Sequence, residues 1–424
     1  MSTVYNRIKE LKDIFDRYEI CTEESERTQA LIDKMEQNSM TISVIGQFKR
    51  GKSTLVNAIL GEELLPVGII PVTAAVTKVM YGEREASVTF LNGVVKKIPF
   101  DEIRTYINEQ ENSNNMLNVD FISVKIPYEF LKDGVTFVDT PGVGSVHQNN
   151  SDAAYSFVKK SDAVIFMLSV DSPVNQIEID FLKNARDYAG RFYFAVNKAD
   201  IISENDLSAY LSYCSNLICD ILETDSIRLF PVSAKTGEGI EQLKNHVLSD
   251  TKEFCSEIIE ESAKKKALDI VNGALRQISL YRAVLRLPKG QIDRKFSLIK
   301  KSLEEIKEEN RNLVLNSTAS QKELSARLNS VKLSLSELVR EHFEISYTYA
   351  LEEIQYGADT SKEDMDTIYE RYLEDVISLC DDLKKTLDAV FMYREKDVYT
   401  VVRRIEDLNI LKRSLDKYKS RGLF

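Results

Sequence analysis

A chain of 424 residues is long for one compact domain and predicts two units; with 43% hydrophobic and 29% charged residues, its composition is not that of a disordered chain. Its 56 basic and 67 acidic residues leave a net charge of −11, which argues against nucleic-acid binding by general electrostatics. Five scattered cysteines without Cys-x-x-Cys spacing, and three widely separated histidines, argue against a zinc or redox centre.

In chain order, Tyr5, Ile8, Leu11, Phe15 and Tyr18 recur every three or four residues and predict a helix, followed by a second to about Met35. The polar, charged start is unlike a secretory signal. The longest strongly apolar run, Ala163 to Leu168, is far shorter than the roughly 20 residues that cross a bilayer. The expected location is cytoplasmic, with peripheral membrane contact left open.

Between Gly46 and Gly239 lie seven of the eight prolines and twelve of the sixteen glycines, the residues that punctuate turns. Short apolar runs alternate there with helical stretches: Thr41 to Ile45, Val135 to Val138, Ala163 to Leu168, Phe192 to Val196 and Arg228 to Val232. Such runs predict an α/β fold with a mostly parallel sheet covered on both faces, and ligands at its carboxyl strand ends.

From about Cys255 onward the pattern is helical and only Pro288 interrupts it. Ile292, Phe296, Ile299, Leu303, Ile306, Asn310 and Leu313 follow a four-three alternation with Asn310 as a polar register position, and Leu324 to Leu338 resume it. The weak stretch Asn316 to Ser320 leaves open one helix of ~80 Å, a kink or a hairpin. A return helix starting near Ser361 would carry Ile368, Tyr372, Val376, Leu379, Leu383 and Leu387. The expected domains are N-terminal helices over 1–38, an α/β domain over 39–252, and a helical stalk over 253–424 with a tip near 343–361. Both chain ends would build the helical bundle.

The strongest motif is Gly46-Gln-Phe-Lys-Arg-Gly-Lys-Ser53, between an apolar strand and a helical stretch that begins at Thr54. This is the phosphate-loop pattern in its strand-loop-helix context. Gly46 and Gly51 let the backbone bend around phosphates, Gln47, Phe48, Lys49 and Arg50 fill the loop, Lys52 neutralises phosphate charge, and Ser53 offers a hydroxyl to Mg²⁺. After two later strands come Asn197-Lys-Ala-Asp200 and Ser233-Ala-Lys235. A carboxylate at Asp200 accepts from guanine N1–H and its amine, whereas adenine N1 is itself an acceptor. Lys198 would lie along the base, and the Ala234 N–H would meet the guanine carbonyl. Between these motifs stands Asp139-Thr-Pro-Gly142, with Asp139 placed to hold Mg²⁺ through water and the Gly142 N–H to sense the γ-phosphate.

Together with Leu65-Pro-Val-Gly-Ile-Ile-Pro-Val-Thr73-Ala-Ala, these motifs resemble the dynamin superfamily of large GTPases, in its bacterial dynamin-like branch. The resemblance covers roughly 40–250 in detail and the flanking helices only in architecture. It implies GTP and GDP as ligands, Mg²⁺ as cofactor, Thr73 as the threonine that completes the metal shell and orients the attacking water, and Thr77 as a second candidate. It also implies a homodimer across the nucleotide face, with turnover coupled to helical movement at a membrane.

Two departures stand out. The residue after Asp139-Thr-Pro-Gly142 is Val143, which cannot orient a water as the glutamine of small GTPases does, and Phe48 and Lys49 replace the usual dynamin Gln and Ser. Lys49 sits where related guanylate-binding proteins carry an internal arginine finger, so Lys49, ahead of Arg50, is the candidate for added charge on the phosphates. His147 is a candidate for contact across a dimer, against a plain exposed role. For lipid, the apolar residues Phe343 to Tyr356 are opposed by Glu341, Glu344, Glu352, Glu353 and Asp359, while Arg403 to Arg421 form a basic alternative. A paired dynamin-like protein as membrane partner, and a soluble GTP-dependent switch or scaffold as the alternative function, stay open. No basic extension with interleaved aromatics suggests RNA.

Overall fold

The computed structural model describes residues 2–47, 49–67, 75–108, 111–112, 115–132, 134–142, 157–316, 318–346, 365–394 and 398–421. Thr73, Val143, His147 and most of the expected tip lie outside them, as does Phe48.

In order, the elements are α1 (Thr3–Phe15), α2 (Thr22–Glu36), β1 (Met40–Ile45), α3 (Lys52–Leu60), β2 (Val76–Tyr81), β3 (Glu85–Phe90), β4 (Val95–Ile98), α4 (Ile103–Ile107), β5 (Val119–Ile126) and β6 (Val135–Asp139). There follow β7 (Ala163–Ser169), α5 (Gln176–Arg186), β8 (Arg191–Asn197), α6 (Glu204–Leu222), β9 (Leu229–Pro231), α7 (Ile240–Arg286), α8 (Lys289–Asn316), α9 (Gln321–Phe343), α10 (Met365–Arg394) and α11 (Val398–Ser420). Two compact units emerge. One takes in the residues up to Lys9 together with Glu26–Ala267, and the other Glu10–Ser25 together with the residues from Leu268 on.

The first unit is built on a sheet which, among the described residues, runs β4-β3-β5-β2-β6-β1-β7-β8-β9. β1 lies parallel to β6 and β7, and β7, β8 and β9 continue in parallel. These are the apolar runs of the sequence. Every residue of β7 is buried, as expected of a strand with helices on both faces. The segment between Ser53 and Asp139 adds strands: β2 pairs antiparallel with β6 and parallel with β5, and β3 pairs antiparallel with β5 and β4.

Below the amino end of β7, Asp162 forms a buried polar node. Its carboxylate accepts from Thr41 N at 2.9 Å, from Ser262 Oγ at 3.0 Å and from Lys266 Nζ at 3.0 Å, and it pairs with Lys34 at 2.5 Å. The node ties β1 and β7 to α2 and α7. α7 is continuous through Ser249–Cys255, so no helix end falls between residues 252 and 253.

In the second unit, α8 and α9 form an antiparallel hairpin. Arg327 bonds Glu309 at 2.9 Å, and Lys295 Nζ reaches the His342 carbonyl. A single helix over 292–346 would hold those residues far apart, so the hairpin is the arrangement that forms. The turn suits its chemistry: the Glu323 carboxylate accepts from Ser320 N at 2.6 Å and closes the start of α9. On α10, Ile368, Tyr372, Val376, Leu379, Leu383 and Leu387 are all buried, each worth about 1.5–3 kcal/mol of burial when apolar. Asn310 is buried, donates to the Ile306 carbonyl at 2.7 Å and accepts from Tyr372 Oη. Both chain ends take part in this unit, since Arg421 pairs with Glu10 at 2.7 Å.

Candidate functional site

β1, β6, β7 and β8 deliver their carboxyl ends to one edge of the first unit, and each motif begins where a strand stops. After β1 the chain passes through Gly46–Gly51 and enters α3 at Lys52. Two close approaches demand glycine. A Cβ on Gly46 would lie 2.5 Å from the Met167 carbonyl oxygen, and one on Gly51, whose φ is +95°, would lie 2.5 Å from Asn197 Nδ2. α3 begins without a side-chain cap, so the N–H groups of Lys52, Ser53 and Thr54 face the loop, the arrangement that receives an anion.

Lys52 is buried and its ammonium donates to the Gln47 carbonyl at 3.2 Å. Burial pulls it down to about 8, partly opposed by Asp139 and Glu178. Asp139, at the end of β6, accepts from Ser53 Oγ at 2.6 Å through Oδ2. Among the described residues its buried Oδ1 has no hydrogen-bond partner, nor has Thr77 Oγ1 on the strand residue paired with Asp139. Burial raises Asp139 to about 6 despite Ser53 and Lys52. A hydroxyl, a carboxylate and an unsatisfied buried oxygen side by side are oxygen donors suited to a hard divalent cation, so the residues fit Mg²⁺. Among the described residues no cluster of three His, Cys, Asp or Glu offers another metal site. Gly142 is buried just beyond β6.

Asn197 joins the loop after β1 to the segment after β9. Its Nδ2 donates to the Arg50 carbonyl at 2.7 Å, and its Oδ1 accepts from Ala234 N at 2.9 Å. Ala199 N reaches the Val232 carbonyl at 3.1 Å, which sets the segment with Asp200 against the one with Ser233. Ser233 is buried and its hydroxyl accepts from Thr236 N at 3.2 Å, whereas Asp200 and Lys235 are exposed at the rim. Lys198, at φ +62°, donates to the Lys49 carbonyl at 3.1 Å and pairs with Asp171 at 2.5 Å.

Lys49 and Arg50, adjacent in sequence, part company. Lys49 is exposed in a left-handed conformation, φ +67°, that costs a non-glycine residue energy. Arg50 is buried. Its Nε and Nη2 bond Glu178 at 2.8 and 2.7 Å, and its remaining N–H groups reach the carbonyls of Ser169, Ser172 and Pro173 at 3.0–3.2 Å. Glu178 and Asp171 are not among the residues the motifs single out. Asn175-Gln-Ile-Glu178 has a legible helix-start pattern, but nothing local points it at Arg50.

Residues 42–200 match the Dynamin_N domain of the dynamin family. The chain is 42% identical over 234 residues to the "Uncharacterized protein in xynA 3'region" of Caldicellulosiruptor sp., covering 55% of this chain and 58% of that one. It is 30% identical over 183 residues to the "Bacterial dynamin-like protein" of Nostoc punctiforme, covering 40% and 26%. A solved structure of an oligomerised bacterial dynamin pair aligns with 98% of this chain and 79% of that one, at 20% identity and a TM-score of 0.44. The chain thus spans little more than half the length of the first of these relatives and about a quarter of the second. With the phosphate loop, Asp139-Thr-Pro-Gly142, Asn197 to Asp200 and Ser233 to Lys235 each seated at a strand end, residues 42–200 of this chain are a dynamin-family domain, similar to that of bacterial dynamin-like proteins.

Proposed function

We propose that the first unit binds GTP and hydrolyses it to GDP and phosphate with Mg²⁺. The observation that carries this reading is Asn197, whose one side chain bonds both the phosphate loop and the Ser233–Lys235 segment. In this reading the bridge links the phosphate donors to the segments whose Asp200 carboxylate and Ala234 N–H would meet the base. Ser53 and Asp139 would hold Mg²⁺, Asp139 through water, and Thr73 would complete the shell; the ion would supply charge stabilisation on the phosphates. Lys52 neutralises phosphate charge, and the Gly142 N–H senses the γ-phosphate.

Lys49 is the candidate for the extra cation over the β–γ bridge. Its exposure and its left-handed backbone favour it over Arg50, whose five donors are all engaged. In this reading two copies meet across the nucleotide face, turnover rises with protein concentration, and the helical unit converts it into work at a membrane or on a paired dynamin-like protein. Among the described residues no helix is long and apolar enough to cross a membrane, so contact would be peripheral. The net charge of −11 favours, as a second reading, a GTP-dependent switch whose helical unit binds a protein.

The test is GTP turnover per molecule against protein concentration, with and without liposomes, beside lipid pelleting. Turnover that climbs with concentration and again on pelleted liposomes supports the membrane reading. Flat turnover without pelleting supports the switch, and no turnover at any concentration overturns the GTPase itself. Lys49→Ala should lower stimulated turnover while GTP affinity holds; equal loss of both removes Lys49 from catalysis.

A further inference from the structure

The segment between β7 and the first turn of α5 touches both the phosphate loop and the Asn197–Asp200 segment without belonging to any of the motifs. Arg50 spends all five N–H donors on it, two on the Glu178 carboxylate and three on the carbonyls of Ser169, Ser172 and Pro173. Gln47, on the other side of the loop, accepts from Asn175 Nδ2 at 2.8 Å. Asn175 is in turn held by Glu178: its backbone N donates to Glu178 Oε2 at 3.2 Å, and its Oδ1 accepts from Glu178 N at 3.1 Å. One carboxylate therefore closes the start of α5 and receives the phosphate-loop arginine.

The same segment reaches the base end. Asp171 accepts from Lys198 Nζ at 2.5 Å and from Ser169 Oγ at 2.6 Å. From α6, Tyr210 Oη donates toward the carbonyls of Ser169 and Ser172 at 3.0 and 3.2 Å, the same two carbonyls that take Arg50 Nη1. Glu178 and Arg50 are almost wholly buried, and two charges in such a place keep each other in position because neither has water to fall back on.

We propose that Ser169–Glu178 is the organiser of the nucleotide site: Glu178, through Arg50, is a positioning residue for the phosphate loop, and Asp171, through Lys198, is a positioning residue for the base. Arg50 then serves the phosphates by shaping the loop rather than by touching them. The proposal rests on the nucleotide reading for its functional half and on the apo loop alone for its structural half.

Glu178→Gln keeps an acceptor for the helix cap and removes the charge that holds Arg50. In the folded protein without nucleotide, amide hydrogen exchange between Gly46 and Lys52 should quicken by about tenfold or more, while β2 and β5 are unchanged. GDP, the probe for binding, should bind about tenfold more weakly, and adding Glu178→Gln to Arg50→Gln should cost nothing further, because both substitutions break one link. Should Glu178→Gln alone fail to fold, the Arg50→Gln/Glu178→Gln pair, which buries no lone charge, must give the same loosened loop. Asp171→Asn should leave loop exchange as it is and narrow the preference for GDP over ADP, by about two- to fivefold for so exposed a pair. Unchanged loop exchange in Glu178→Gln, or additive losses in the pair, would overturn the phosphate-loop role; an unmoved preference in Asp171→Asn would overturn the base role. A wild-type protein that binds neither GDP nor GTP strikes down the nucleotide reading, and the exchange arm still decides whether Glu178 positions the loop.

Discussion

The two ends of the central sheet each bury an aspartate to 1% exposure, Asp139 at the carboxyl end of β6 and Asp162 at the amino end of β7. Their environments drive them in opposite directions. Burial pushes both toward the protonated form, but Lys266, Lys34 and the Thr41 N–H more than offset this at Asp162 and hold it below the usual carboxylate range. At Asp139 the Ser53 hydrogen bond and the Lys52 charge do not offset burial, and it stays high, at about 6. A fully partnered buried carboxylate is a structural joint. One with an unsatisfied oxygen keeps an acceptor that a hydrogen-bond donor or a cation can use.

The largest expected effect tests the joint. Asp162→Ala leaves Lys266 and Lys34 facing each other without their counter-charge, and about 3–5 kcal/mol of the first unit's stability should be lost in urea unfolding; a loss under 1 kcal/mol would make Asp162 an ordinary polar residue. Asp139→Asn, by contrast, should leave the unliganded protein at least as stable at pH 7 and abolish the Mg²⁺-dependent part of GTP binding.

Next in size is the base end. Asp200→Asn exchanges an acceptor for a donor, which disfavours guanine N1–H and suits the C2 carbonyl of xanthine. GTP should bind about 100-fold more weakly, two charge-assisted bonds of about 1.5 kcal/mol each, with XTP gaining; equal weakening of both nucleotides would remove Asp200 from base recognition.

The pH dependence then separates the two aspartates by sign. Asp139 is raised in the folded state, so its stabilising contribution is present below pH ~4 and is lost as pH climbs through about 6, by about 2–3 kcal/mol. Asp162 is lowered, so its contribution is present above pH ~4 and is lost as pH falls below it. The stability of wild type relative to Asp139→Asn should therefore fall from pH 4 to 7, and that relative to Asp162→Asn should not. Mg²⁺ should flatten the Asp139 slope, because a bound cation keeps the carboxylate ionised.

The smallest effect extends the comparison to the helical unit. Tyr372→Phe removes the hydroxyl that satisfies the buried Asn310 Oδ1 and should cost about 1–2 kcal/mol. A neutral result would mean that Asn310 finds another donor.

Much of this is legible in the sequence. The strands, the phosphate loop, Asp139 and Asn197 to Asp200 could be read because each is a local pattern, an apolar run followed by residues whose backbone needs and chemistry are set within about ten positions. The polar register position Asn310 was equally visible. The choice between one long helix and a hairpin at Asn316–Ser320 was not, since heptad spacing is satisfied by either and only the packing of α8, α9 and α10 decides it. Thr73, on which the resemblance rests part of the metal shell, lies outside the described residues.

The sequence by itself determined the motifs proposed to meet phosphates, magnesium and guanine, because loop glycines, helix starts and strand ends act at short range. Only the tertiary structure decided what those motifs rest upon. Arg50 finds Glu178 across 128 positions, and Lys266 finds Asp162 across 104. No periodicity encodes such pairs: a buried charge takes whichever opposite charge the fold brings within reach, and that is settled when the sheet and its helices close around it.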